Sequence, residues 1–206
     1  MTSHQSFRSV LLGVISALMV VAPFASGQTD GREFQVRQED SNVGFSIYKW
    51  LVVKEEGRFR DFRGTVYFNP KDRGATKVDF TIQTASVDSR NEGRDGALRS
   101  DDYFDVGRHP TMTFRSVNSS AAENNMVMVE GDITIKGRTK RITIPVKVLG
   151  VHFANQTVGH IAGFESTFTL NRFDFNVGPS GSTMVGSEVT IHLLIGANSP
   201  AITAGQ

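Results

Sequence analysis

Hydrophobic and polar residues alternate along most of the chain after residue 40. In each run, every second side chain is apolar and those between are mostly polar, a period typical of β-strands that bury one face. The pattern therefore predicts eight strands, centred on residues 43–47, 62–68, 78–82, 112–114, 127–135, 142–148, 164–170 and 189–195.

Turn-forming residues separate these runs, as in the segment 69–74 and at Lys136-Gly137. Alternation with one polar face is typical of antiparallel sheets that have water on one side and a core on the other. Eight such strands suit either a sandwich or an up-and-down barrel. The sequence predicts an all-β fold, and the alternation alone does not separate these two architectures.

One segment, residues 85–110, interrupts the alternation and is too long for a simple hairpin turn. Asn91 or Ser89 is suited to cap a short helix that runs to about Ser100, with Glu92 and Asp95 in its first turn. The sequence therefore predicts a helical insertion between strands. Such a helix either covers one mouth of a barrel or lies on the surface.

The N-terminus has the features of a secretory signal peptide. Residues 10–22 carry no charge, and as a helix they would span only about 20 Å, too short for the hydrocarbon core of a bilayer. Small residues follow at 25–27, so we expect cleavage before Gln28, with an uncleaved anchor as the alternative. This predicts a signal peptide over 1–27, a single domain over 28–206, and a periplasmic or secreted protein with no stable membrane span after cleavage.

The composition excludes several kinds of functional site. The chain contains 15 Phe and no Cys, which excludes disulfides, thiolate metal sites and Cys nucleophiles. Without residues 1–27, whose only charged residue is Arg8, the numbers of basic and acidic residues are equal. A nucleic-acid-binding protein usually shows a basic excess, so we expect no nucleic-acid partner.

Candidate catalytic groups concentrate in the 88–105 loop, where six acidic residues alternate with arginines. Ion pairs that hold the loop are the favoured interpretation, and acid–base catalysis with His109 is the alternative. His152 and His160 flank an expected turn, but a metal site needs a third ligand, so we predict no metal. Ser nucleophile motifs are absent.

Many of the phenylalanines share the inward face of their strands. A packed aromatic core and an apolar tunnel would both be lined in this way. Small residues at inward positions leave room for a cavity: Gly64, Gly131, Ser166 and Ser187. The residues alone do not decide between a packed core and a tunnel.

A series of short motifs in register resembles the YceI-like family of polyisoprenoid-binding, lipocalin-like domains. The similarity extends from about Phe34 to Ile195, essentially the whole chain after the signal peptide. Its motifs are Gly57-Arg-Phe59, Phe62-Arg-Gly64-Thr-Val66, Ala85-Ser-Val87-Asp88, Arg94-Asp95, Leu98-Arg-Ser100-Asp-Asp-Tyr-Phe104-Asp105, His109-Pro110-Thr-Met-Thr-Phe114, Gly131-Asp-Ile-Thr-Ile-Lys-Gly137, Asn171-Arg172-Phe-Asp174-Phe175 and Val185-Gly-Ser-Glu188-Val189.

The resemblance implies an eight-stranded antiparallel lipocalin-like barrel with a helical insertion and a tunnel for a polyprenyl or quinone tail. It implies a binding or carrier protein rather than an enzyme, with no cofactor apart from the bound isoprenoid or quinone. Arg94, Asp95, Arg172 and Asp174 are expected to hold the insertion and the barrel end in place. The expected lipid-contacting residues are Phe45, Ile47, Phe62, Phe80, Leu98, Phe104, Met112, Phe114, Phe164 and Phe168.

Two positions depart from the family pattern. Relatives commonly carry His at the end of the first barrel strand, where this chain has Tyr48-Lys49-Trp50, and Asn176 replaces a usual Gly. Lys49 is the candidate contact for an anionic head group such as a pyrophosphate, whereas a neutral quinone would gain less from it. Two alternatives remain, an enzyme acting on a lipid head group and a packed barrel that serves as an interaction module. The oligomeric state is open, a homodimer included.

Overall fold

The computed structural model describes residues 31–179 and 184–200, so the predicted signal peptide lies outside the described residues. The described part contains one α-helix, α1 (Glu92–Arg99), and short 3-10 helices at Arg73–Ala75, Thr84–Ser86 and Arg172–Phe175. None of the helices described is long and apolar enough to cross a membrane. The strands are β1 (Arg32–Lys49), β2 (Val53–Phe59), β3 (Phe62–Phe68), β4 (Lys77–Gln83), β5 (Val87–Asp88), β6 (Thr111–Ala121), β7 (Met126–Ile135), β8 (Arg138–Asn155), β9 (Gly159–Asn171) and β10 (Val185–Ser199).

Eight of these strands close into an antiparallel barrel in the order β1-β3-β4-β6-β7-β8-β9-β10. Pairing between β1 and β10 completes the ring, running from Gln35 opposite Asn198 to Lys49 opposite Val185. The eight strands coincide with the eight predicted runs of alternation. The prediction of an all-β fold is confirmed, and the structure decides for a barrel rather than a sandwich.

The strands β2 and β5 were not predicted. Strand β2 pairs with the second half of β1, and the two-residue β5 pairs with β2. The inward face of β2 carries Glu55 and Gly57 between Val53 and Phe59, so its hydrophobic alternation is interrupted. Because Glu55 and Gly57 interrupt the apolar face, the sequence of β2 lacks the usual signal of a strand.

The predicted helical insertion is confirmed. The side chain of Asn91 caps α1 by accepting a hydrogen bond from the backbone N–H of Arg94 (2.9 Å), which satisfies a donor that the helix itself cannot. Further along the insertion, the Nζ of Lys136 donates to the carbonyl of Asp101 (2.7 Å) and to that of Asn176 (2.9 Å). The insertion is thereby attached to the β7–β8 turn and to the segment after β9, and it lies over one end of the barrel.

The Gly-to-Asn departure at position 176 has a backbone explanation. Asn176 ends the 3-10 helix Arg172–Phe175 with φ of 54°, in the left-handed region. Asn adopts this region more readily than other residues with a side chain. Asn176 therefore forms this left-handed turn without a Gly.

Three inward glycines in the barrel wall are each covered by a phenylalanine ring from a neighbouring strand. Phe45 lies over Gly57, Phe80 over Gly64 and Phe114 over Gly131. The room that Gly64 and Gly131 were expected to leave for a cavity is thus occupied by these rings. The absent side chains at these glycines thus leave room in the wall for three rings that also line the cavity.

We predict that Gly131→Ala destabilises the fold. An ideal Cβ at position 131 would lie 2.5 Å from the carbonyl oxygen of Arg115, which is backbone and cannot move freely, and 2.4 Å from Phe114 Cζ. Overpacking of this kind costs about 1–3 kcal/mol. Urea unfolding should show this loss, whereas Gly96→Ala, where a Cβ meets nothing within 4 Å, should be neutral or slightly stabilising in α1. Equal stability of the two variants would contradict the packing described.

An ion cluster joins β5 to β2 at the base of the insertion. The carboxylate of Asp88 accepts hydrogen bonds from Arg60 Nε (2.8 Å), Arg58 Nε (3.2 Å) and the backbone N–H of Arg90 (3.1 Å). The hydrogen bond from Arg60 is the largest of the effects that lower the pKa of Asp88 from 3.8 to about 2. A carboxylate with a depressed pKa stabilises the folded state only while it is ionised.

This shift predicts a stability loss on acidification that depends on Asp88. Its contribution is present above about pH 4 and disappears as the pH falls towards 2, since the unfolded chain takes up the proton first. Urea titrations from pH 5 to about pH 2 should therefore show a steeper loss for the parent than for Asp88→Asn. Asp101→Asn, which removes a carboxylate with no ion pair among the described residues, should follow the parent. An identical slope in Asp88→Asn would contradict the assignment.

Candidate binding site: the barrel cavity

The barrel encloses a cavity of about 380 Å³, within the range of roughly 300–1,000 Å³ usual for small-molecule sites. All eight barrel strands contribute inward side chains to its wall, and the insertion contributes the face of α1 that carries Ala97 and Leu98. The wall is almost entirely aliphatic and aromatic. An interior of this kind is suited to remove an apolar chain from water.

Most of the residues predicted to contact a lipid line this cavity. They are Phe45, Ile47, Phe80, Leu98, Phe104, Met112, Phe114, Phe164 and Phe168. Phe62 does not line it: its ring is buried and stacks on that of Phe80 with the centroids 5.7 Å apart. Phe62 therefore belongs to the packing that supports the wall.

Other lining residues were missed by the sequence prediction. The longest such row comes from the inward face of β10: Val185, Val189, Ile191, Leu193 and Ile195. The strand parity already placed residues 189–195 of this row on the inward face, and Val185 shares that parity.

The two ends of the cavity differ. At the end away from the insertion, Phe68 and Phe164 are buried and meet edge-on with ring centroids 5.8 Å apart. At the insertion end, the lining includes the charged side chains of Lys49, Glu55 and Arg94, which are all partly exposed. The cavity therefore reaches solvent at the insertion end, between the β1–β2 turn and α1.

The charges at this mouth are unequally compensated. Arg94 forms an ion pair with Glu55 and also donates from Nε to Ser89 Oγ (2.8 Å) and from Nη2 to the Ser89 carbonyl (2.9 Å). The Nζ of Lys49 lies 4.2 Å from the centroid of the Trp50 ring, and no carboxylate in the described part of the chain forms a salt bridge with it. Lys49 thus supplies a positive charge at the mouth that a ligand can still use.

The motif residues make contacts within the protein. Asp95 is buried and accepts from the backbone N–H of Ser89 (2.8 Å), which ties α1 to the chain before it. Asp174 forms a salt bridge with Lys140 (2.8 Å). Arg94, in addition to its contacts with Ser89, lines the cavity mouth, and Arg172 also contributes to the lining.

Arg172 is a buried cation that is satisfied by backbone carbonyls. It donates from Nε to Gly186 (2.8 Å), from Nη1 to Val177 (2.8 Å) and from Nη2 to Val185 (3.2 Å). Burial lowers the pKa of this guanidinium, as expected where the charged form loses water. These bonds join the end of β9 to the start of β10 at the insertion end of the barrel.

None of the acidic residues of the 88–105 loop lines the cavity, and neither does His109. Asp88 faces Arg58 and Arg60, Asp95 faces Ser89, and Asp105 forms a salt bridge with Arg108 (2.6 Å). His109 acts through its backbone, where its carbonyl accepts from Thr84 Oγ1 (2.8 Å). The groups proposed for acid–base catalysis are therefore separated from the apolar interior.

The histidines on the β8–β9 hairpin do not meet. His152 is opposite Ile161, and His160 is opposite Phe153. The ring centroids of His160 and Phe153 are 5.2 Å apart. Burial lowers the pKa of His160. Within residues 31–179 and 184–200, no group of three or more potential metal ligands occurs.

Comparison with known proteins places the barrel in a family. The model of the YceI-like domain matches residues 34–197. A UPF0312 protein of Pseudomonas paraeruginosa is 37% identical over 162 residues, which cover 76% of this chain and 82% of that protein. The range of the family match, 34–197, extends over the barrel strands and the insertion.

Solved structures share the fold. BcnA of Burkholderia cenocepacia is 28% identical with a TM-score of 0.70, over 78% of this chain and 98% of that one. A polyisoprenoid binding domain from Saccharophagus degradans has a TM-score of 0.61 at 14% identity, over 81% of this chain and 98% of that one, a likeness of fold alone. The family match over nearly the whole barrel shows that the chain belongs to the YceI-like family.

Proposed function

We propose that this protein is a periplasmic carrier that holds the apolar tail of an isoprenoid-type lipid, a polyprenyl or quinone chain, inside the barrel. The observation that carries the proposal is the apolar cavity of about 380 Å³ along the barrel axis. A packed barrel that acts only as an interaction module has no need for such a cavity. The polyisoprenoid binding domain with the same fold is in keeping with this ligand class.

The wall supplies the affinity. Each Å² of ligand tail removed from water contributes about 25 cal/mol before the costs of ordering. The closed end, where Phe68 meets Phe164, would receive the tip of the tail. The mouth with Lys49 would receive the head group, since charged groups there remain in contact with water.

Export to the periplasm is supported by the signal-like residues 1–27. A carrier in an aqueous compartment between membranes needs a water-excluding interior for its cargo. Catalysis is not required by the arrangement, because none of the loop carboxylates lines the cavity, and Asp88, Asp95 and Asp105 face arginines or a serine. We therefore favour binding over an enzyme acting on a lipid head group.

We predict that the undenatured protein carries lipid. Organic extracts analysed by mass spectrometry should contain a polyprenyl or quinone species. Ile191→Trp, which fills the cavity from β10, should lose it, because Ile191 lines the interior. Leu194→Trp, on the exposed outer face of the same strand, is the matched control and should retain it. Extracts free of lipid, together with no binding of added polyprenyl or quinone analogues, would reject the carrier.

We also predict that Lys49 contributes to binding of an anionic head group. Replacing the uncompensated cation by Lys49→Met should weaken binding of a polyprenyl pyrophosphate by roughly tenfold, as loss of one charge-assisted contact costs about 1.5 kcal/mol. Binding of a neutral quinone with a similar tail should change little. Fluorescent-analogue displacement measures both affinities. Equal losses of affinity for the two ligands would show that Lys49 contributes to packing of the cavity wall and does not contact the head group.

A further inference from the structure

The β1–β2 turn exposes an unusual amount of apolar surface. We use the name hydrophobic tip for residues 50–53 together with Met184. Leu51 is 90% exposed, Val52 79% and Trp50 55%, with Val53 and Met184 also exposed. Single exposed hydrophobic residues are ordinary on protein surfaces, but a contiguous group at a protruding turn indicates an interaction site.

The backbone of the tip is also unusual. Trp50 and Leu51 both have positive φ, 51° and 65°, and the Val52 N–H closes the turn on the carbonyl of Lys49 (3.3 Å). Gly, Asn and Asp are the ordinary residues for consecutive left-handed positions in a hairpin turn, because bulky side chains are strained there. A Trp and a Leu in this turn cost stability without filling any core, so the folded domain alone does not account for them.

The tip adjoins the mouth of the cavity. Lys49, the residue before Trp50, lines the cavity, and Val185, the residue after Met184, does so as well. The backbone N–H of Trp50 donates to the carbonyl of Met184 (2.8 Å), which joins the two parts of the tip. Apolar surface therefore continues from the outside of the tip to the entrance of the barrel.

We propose that the hydrophobic tip inserts into the surface of a lipid bilayer and sets the cavity mouth against it. Trp and Tyr side chains are favoured at the membrane–water interface, where the ring is partly apolar and its N–H or O–H stays hydrated. Tyr48, half-exposed beside the tip, and Trp50 supply this pair. Leu51 and Val52, at the apex, would enter the acyl region, and Lys49 would meet anionic head groups.

A bilayer suits the tip better than a second copy of the chain. A stable protein interface buries roughly 800 Å² on each partner, whereas the tip is one narrow turn with few side chains. Insertion of a few apolar side chains into a bilayer needs no complementary shape and gives reversible attachment. The inference rests on the proposed function for its purpose, since a bound tail would pass between bilayer and barrel without crossing water.

The test uses Trp50, which is the only tryptophan of the chain. The purified protein is mixed with vesicles of phosphatidylethanolamine and phosphatidylglycerol, and Trp50 emission is recorded. We expect a shift to shorter wavelength and quenching by lipids brominated on their acyl chains. The double variant Leu51→Ser with Val52→Ser keeps Trp50 as the reporter and should lower vesicle partitioning by more than about tenfold, because two buried aliphatic side chains are lost.

The matched control removes the same residue types from the outer wall of the barrel. Leu149→Ser with Val117→Ser changes two half-exposed side chains on β8 and β6 and should bind vesicles like the parent. The parent and both variants have the same N-terminal residues, so any contribution of these residues to vesicle binding is the same in all three proteins. An unchanged melting temperature of the tip variant would show that it is folded.

Two results would overturn the proposal. One is a Trp50 emission that does not respond to vesicles. The other is a dimer, seen by sedimentation without lipid, that the tip variant abolishes. If the protein inserts into vesicles, but its extracts hold no lipid and it binds no added polyprenyl or quinone analogue, the proposal for the tip stands and the carrier is rejected. If extracts contain lipid but Trp50 emission does not respond to vesicles, the carrier stands and membrane insertion of the tip is rejected.

Discussion

Closure of the barrel by β1 and β10 is the constraint on which the other features depend. Pairing from Gln35 to Lys49 leaves neither of these strands with a free edge along the ring. Once eight strands close, their alternation divides every side chain into interior and exterior. The interior must then be filled by side chains, by a ligand or by both, and here the inward side chains leave a cavity.

The cavity depends on how the aromatic residues are packed. Phe45, Phe80 and Phe114 each lie against an inward glycine of a neighbouring strand, so the wall has room for these three large rings. A further aromatic series, from Phe45 through Phe59 to Phe104, joins the wall to the insertion with centroid separations of 5.6 and 5.5 Å. The same rings thus stabilise the barrel, hold the insertion and line the space for a ligand.

The insertion end combines polar and apolar functions. Hydrogen bonds from Arg172 and Lys136 to backbone carbonyls connect the segments at that end, and the exposed β1–β2 turn lies at the mouth. Beside it, Arg94 is neutralised by Glu55 whereas Lys49 is not. A cargo with an apolar tail and an anionic head, taken from a bilayer, would use the wall, the cation and the tip together.

The amino-acid sequence by itself determined the eight barrel strands and the capped helix after Asn91, because these depend on local periodicity and local hydrogen bonds. Parity also placed the phenylalanines inward. Only the tertiary structure decided that Phe62 supports the wall while Phe80 lines the cavity, since both have the same parity and differ only in ring packing. It alone paired Glu55 with Arg94 across distant segments and left Lys49 uncompensated. A cavity arises from the sum of many ring orientations and strand registers, and no local pattern encodes that sum.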